Sequence, residues 1–311
     1  MDRLLLVIST FCFLLGFAYT MHALGARVYR ASGLNFFAIL TGFLCQTGFL
    51  YLRGQQVGRC PLTSLFEVMI FLTWSLVLFY LLIGPAYRLS LLGAFTSPLA
   101  FGLQVVALLL LKDTPVKVNA PVNGWLELHA AISMVAYGAF ALAGVAGVMY
   151  LAQERQLKTH HIRSIFYHMP PIRDLAVANG RLILTGFALL AVGIVAAFMM
   201  NNWQAHASKV AWSVGVWVIY GAIIAMSKGH RLSPRRVAWL SVGAFSVALL
   251  TLSGISFITE TGVRVAPWRF SALGSAIIPR RWNFEKSLPS PMAMWRRWPR
   301  SSAPRRECRR R

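Results

Sequence analysis

Residues 203–220 read WQAHASKVAWSVGVWVIY, a short polar opening that carries His206 and Lys209 and then runs into a segment studded with Trp212, Trp217 and Tyr220. Apolar runs long enough to cross a bilayer lie on both sides of that opening. The histidine and the lysine are therefore expected at a membrane surface, not in a soluble cleft. Working outward, the question is what a membrane protein does with an imidazole, an ammonium group and a set of indole rings on its rim.

The rest of the composition agrees with that reading. Of 311 residues, 57% are hydrophobic and 13% charged, and the mean hydropathy is +0.59, which excludes an ordinary soluble domain. Eight apolar spans can be counted, at about 4–24, 34–52, 64–84, 90–111, 126–151, 182–201, 210–226 and 237–258. Backbone polar groups in lipid must be satisfied within each segment, so the fold class is all-α, a polytopic bundle of about eight helices. Ala23-Leu24-Gly25-Ala26 loosely resembles a signal-peptide cleavage site, but the run before it is longer than a usual signal core and the span is expected to be retained. The cysteines, Cys12, Cys45, Cys60 and Cys308, form no CxxC or CxxCH, so neither a thioredoxin-type pair nor covalent c-type haem attachment is encoded.

The loops after spans one, three, five and seven carry twelve Arg/Lys, whereas those on the opposite side, leaving out the tail, carry six. The positive-inside rule makes the richer side cytoplasmic and both termini external, which gathers the loops around 53–63, 112–125 and 202–209 outside. The sequence divides into a transmembrane domain, 1–260, and an Arg/Trp/Pro-rich tail, 261–311, expected to be disordered. Arg264 to Arg311 holds thirteen Arg/Lys against Glu285 and Glu307, half of the chain's net charge of +22.

Two places inside the spans carry chemistry. Ser64 and Glu67 have capping-box spacing, so the carboxylate either caps the first turn of span three or faces a ligand at the external rim. Span five opens WLELH (125–129), and His129, Ser133 and Tyr137 recur every fourth residue, one stripe toward a neighbouring helix or a cavity. Ala139, Ala143 and Gly147 continue the spacing with small residues that let helices approach closely. His160, His161, His168 and His230 fall in basic loops without partner ligands and are read as solvated, and His22 lies near the cytoplasmic end of span one. His129 is different: an imidazole at the mouth of an apolar helix must be hydrogen-bonded, to Ser133 or Glu67 for example, or must ligate a metal such as haem iron. Trp125, Trp203, Trp212 and Lys209, with Arg53 or Arg59 in reserve, have the chemistry of aromatic walls and propionate partners, although the tryptophans also suit an interfacial belt.

PLTSLFE (61–67), WLELHAAISMVAYGAF (125–140) leading into YLAQERQLK (150–158), YHMPPIRDL (167–175) and KVAWSVGVWVIY (209–220) together resemble the integral-membrane cytochrome c assembly family, the CcsA/HemX-like proteins, over roughly residues 1–260. Haem-exporting members carry W-D-P-K where this chain reads His206-Ala207-Ser208-Lys209, and a further external histidine where it reads Ile258 to Gly262. The sequence is thus more similar to the shorter HemX-like branch. The resemblance implies a haem-handling protein of the bacterial inner membrane, with His129 as axial iron ligand; the predicted external rim then offers His206 in place of a second ligand, with Trp203, Trp212, Trp125, Lys209 and Glu67 around the cofactor. It implies lipid, haem and other cytochrome c maturation proteins as partners, with no specific nucleic acid. No nucleophile–base pair or paired carboxylates appear, so the chain is not read as an enzyme. The rival readings are a small-substrate or proton-coupled transporter using Glu67, Glu127 and His129, and a regulatory membrane subunit that binds no haem.

Overall fold

The computed structural model describes residues 2–25, 33–86, 92–111, 123–159, 171–200, 207–229 and 232–260, all within a compact unit that covers Met1–Arg264. The described residues form eight helices: α1 (Asp2–Gly25), α2 (Gly33–Val57), α3 (Leu65–Ala86), α4 (Leu92–Leu110), α5 (Gly124–Thr159), α6 (Ile172–Phe198), α7 (Ala207–Lys228) and α8 (Pro234–Glu260). Each overlaps one of the predicted apolar spans, with ends that differ by a few residues in most and by ten at the start of α6, and α1 to α7 are long and apolar enough to cross a membrane by length and composition. The protein is a polytopic helical bundle. The predicted tail at 261–311 lies outside the described residues.

The bundle is organised around α5. Its apolar window is 83% buried, against 28% for α1 and α7, because it packs on α3, α4, α6 and α8 at once. The other long contacts, α1 with α2 and α4, α3 with α4, and α7 with α6 and α8, place two groups of helices on either side of it. A helix of 36 residues is about 54 Å long and outruns the ~30 Å hydrocarbon core, so the QERQLK end of α5 projects past the apolar layer.

The small-residue stripe on α5 does what its spacing predicts. A Cβ at Gly147 would lie 2.8 Å from Ser241 Oγ and 3.0 Å from the Ala238 carbonyl oxygen, so α8 rests on bare backbone there. Asn179 of α6 joins the same contact, its Nδ2 donating to the Ala143 carbonyl (3.3 Å) and to Ser241 Oγ (3.1 Å). Polar bonds between helices are the means of fixing register where lipid removes the hydrophobic drive to associate.

Candidate functional site

The α2–α3 corner comes first in the chain. Ser64 precedes α3, and its Oγ accepts the Glu67 N–H at 3.3 Å. The Glu67 carboxylate turns back one residue further than in a standard capping box: Oε2 accepts from the Thr63 N–H (2.8 Å) and the Thr63 hydroxyl (2.7 Å). Its other oxygen accepts from Arg53 Nε at 3.1 Å, in a pair whose side chains are 0% and 3% exposed. Of the two sequence readings of Glu67, the cap is the geometry found, and both carboxylate oxygens are engaged within the protein.

Arg53 is where the sequence boundary of span two misleads. The apolar run ends near residue 52, but α2 continues to Val57 and brings Arg53 onto the face of Phe49, one turn earlier. There the guanidinium lies 5.8 Å from the Phe49 ring centroid and 6.0 Å from that of Phe66, as well as against Glu67. A buried arginine so held belongs to the frame of this corner, not to an exposed loop.

The corner leads to α5. Burial, with the Glu127 and Glu67 carboxylates nearby, pushes the Cys60 thiol up to about 11, so Cys60 senses both this corner and the first turn of α5. Leu126 packs against Ala197, Met200 and Val210, so the start of α5, the end of α6 and the start of α7 share that end of the bundle. Trp125, 48% exposed, stands at its edge, and its backbone N–H donates to Asn123 Oδ1 at 3.2 Å.

His129 sits one turn further in, 7% exposed. Its Nδ1 is 2.8 Å from the Gly193 carbonyl oxygen of α6, and Ser133 Oγ lies 3.5 Å from the same nitrogen. A carbonyl only accepts, so Nδ1 must carry the proton, and the neutral ring then has its lone pair on Nε2. The absence of a side chain at 193 is what allows the contact, since a Cβ there would fall 2.8 Å from Ser133 Oγ. Gly193 is thus a partner of His129, with Ser133 at longer range. Glu67 is taken by Arg53.

The stripe continues as the spacing predicts. Ser133 and Tyr137 are each 3% exposed; Tyr137 meets Phe140 edge to face, and Phe140 stacks on Tyr220 of α7 with 3.7 Å between centroids. Trp212, half-buried, lies beside the Tyr137 hydroxyl across the α5–α7 contact, and the Tyr220 hydroxyl is buried without a hydrogen-bond partner among the described residues. Of the other residues singled out in the sequence, Lys209 falls in the first turn of α7 with its side chain outside the described set, and Trp203 and His206 lie outside the described residues. Gly193 was not singled out. Its signal was a second glycine seven residues after Gly186 in an apolar span, a spacing that returns to the same helix face.

Fold and site together define a class: a polytopic helical membrane protein with a buried, tautomer-locked imidazole near one end of its bundle and an aromatic cluster further along the same helix. Comparison with known proteins supplies the family. Residues 62–262, from Glu67 through Trp125, His129, Lys209 and Trp212, match the family described as cytochrome C assembly protein, and the chain belongs to it. Among its relatives, the cytochrome c biogenesis protein CcsA of Synechococcus sp. (strain CC9311) is 25% identical over 276 residues, 78% of this chain and 90% of that protein. The CcsA of Guillardia theta is 25% identical over 230 residues (66% and 76%), and that of Prochlorococcus marinus (strain MIT 9303) is 23% identical over 299 (83% and 93%).

Proposed function

We propose that the protein is a haem-handling component of cytochrome c biogenesis, with His129 ligating the iron through Nε2. The observation that carries this reading is the 2.8 Å contact between His129 Nδ1 and the Gly193 carbonyl. Metal-ligating histidines almost always donate their other ring N–H to a carbonyl, carboxylate or water, which fixes the tautomer and makes the ligating nitrogen more basic. The residues present fit the cofactor in one further respect: the aromatic side chains Tyr137, Phe140 and Tyr220 pack together on the inward stripe beyond His129, with Trp212 beside Tyr137. When bound, haem would supply an iron centre and two carboxylates.

The chain's own residues have separable tasks in this reading. Gly193 and Ser133 orient the imidazole. Trp125 and Trp212 flank the approach, and Lys209, with Trp203 and His206, completes the rim, where His206 is the candidate second ligand. The Arg53–Glu67 pair holds the neighbouring corner without touching the cofactor, and its closure leaves Glu67 poorly suited to relay protons, which counts against the transporter reading. The rim is assigned to the external face of a bacterial inner membrane, on the charge asymmetry of the loops, with both termini outside. Formation of the thioether bonds is assigned to a partner in the maturation system.

The test is haem titration of the detergent-purified protein followed by absorption. His129→Gln keeps an N–H for the Gly193 carbonyl but offers iron no imidazole. It is expected to lose or shift the ligand-dependent bands while the helical circular dichroism is unchanged. Bands identical to wild type would remove His129 from the site.

A further inference from the structure

At the end of the bundle opposite His129, α5 and α8 part around an open groove of about 570 Å3. Its rim carries Arg155, Lys158 and Arg235 with one carboxylate, Glu154. Glu154 accepts from Lys158 Nζ at 2.8 Å and pairs with Arg235 Nε at 3.4 Å, so it holds two cations side by side across the gap between the helices. Three cations against one anion leave the rim positive. Lys158 and Arg235 are 60% and 56% exposed, so their charge is presented outward.

Toward the middle of the bundle the lining changes character. Val148 and Trp239, 43% and 59% exposed, form the walls of the groove below the charges. A second groove of about 310 Å3 shares Val148 and Val242 with the first and continues over Gly144 and Phe245. The order along the helix axis is therefore cation, indole, aliphatic and aromatic. On α5 the positions 144, 148 and 155, and on α8 the positions 235, 239 and 242, return to one face at helical spacing.

We propose that this groove is a site for one anionic phospholipid, its phosphate at Arg155, Lys158 and Arg235 and an acyl chain laid along Val148 and Val242 toward Gly144. A zwitterionic lipid offers the same tail but no net charge for the rim. An amphiphile with a single anionic head matches both halves of the groove in the order they occur. Basic pockets between transmembrane helices recognise acidic headgroups in this way, and each cation near the surface is worth about a fivefold change in occupancy. Glu154 works against the lipid: it aligns the cations but neutralises part of their charge.

Native mass spectrometry of the full chain released from nanodiscs of equal phosphatidylglycerol and phosphatidylcholine tests the site. Wild type is expected to retain phosphatidylglycerol in preference to phosphatidylcholine. The variant Arg155→Gln/Lys158→Gln/Arg235→Gln is expected to lose that preference, by tenfold or more on the scale of about fivefold per cation. Glu154→Gln is expected to strengthen it by about fivefold, the opposite of what a damaged fold produces, and it decides the matter if the triple variant does not fold. Equal retention of the two lipids by wild type, an unchanged preference in a folded triple variant, or a weaker or unchanged one in Glu154→Gln overturns the proposal.

Discussion

Glu67→Gln keeps the shape of the side chain and an oxygen for Thr63 but removes the charge that faces Arg53. The guanidinium is then left 3% exposed among Phe49 and Phe66 with no anion at 3.1 Å. Breaking a buried ion pair by removing one partner costs about 3–5 kcal/mol. The two rings offset part of this, about 0.5–2 kcal/mol, as cation–π contacts with a poorly solvated charge, so a net loss of about 2–4 kcal/mol is expected. Arg53→Met should cost somewhat less, because the carboxylate still accepts two hydrogen bonds from Thr63. The double variant Arg53→Met/Glu67→Gln removes both charges and should recover about 1–3 kcal/mol relative to the sum of the single changes. Unfolding of the detergent-purified protein by SDS measures all three variants on one scale. Two single changes of less than about 0.5 kcal/mol with no coupling, as for exposed pairs, would show that this corner is hydrated and is not a buried clamp.

Three further outcomes are expected. Cys60 has its thiol raised to about 11, so it is protonated at neutral pH, and its maleimide labelling rate should rise about tenfold per pH unit past pH 9, where an ordinary thiol levels off. Glu127→Gln should lower that midpoint. The sign for stability follows: the contribution of Cys60 is full below the unfolded thiol range near 8.5 and is lost as pH rises toward about 11, and Cys60→Ser should remove that alkaline slope in unfolding scans. Gly147→Ala places a methyl group 3.0 Å from a backbone oxygen that cannot rotate away and should destabilise by about 1–3 kcal/mol, whereas Gly215→Ala, with open space around it, should be neutral or mildly stabilising.

The eight helices were legible because a span must carry about 20 apolar residues whatever it packs against, and composition alone reports that. The inward stripe on α5 was legible for a related reason: His129, Ser133 and Tyr137 are polar residues at helical spacing inside an apolar run, and few arrangements other than an internal face tolerate them. What those residues touch was not legible. Gly193 offers His129 a backbone carbonyl, a group every residue has, so the Gly186/Gly193 spacing marks a close helix approach without naming the imidazole as what approaches. Arg53 was assigned to a loop because hydropathy ends a span at the first charge, while the helix ends only when its backbone bonds do. The same limit applies to Glu67, whose capping spacing was evident but whose second oxygen is claimed by a residue fourteen positions earlier.

The central claim is that the nitrogen of His129 turned away from Gly193 is a haem ligand, and replacing the ring by a small molecule tests it most directly. His129→Gly, purified and supplied with haem, should lack the wild-type absorption bands and should regain them when millimolar imidazole is added. Wild-type bands in His129→Gly before imidazole is added would contradict the account, as would their failure to return in a variant that remains folded.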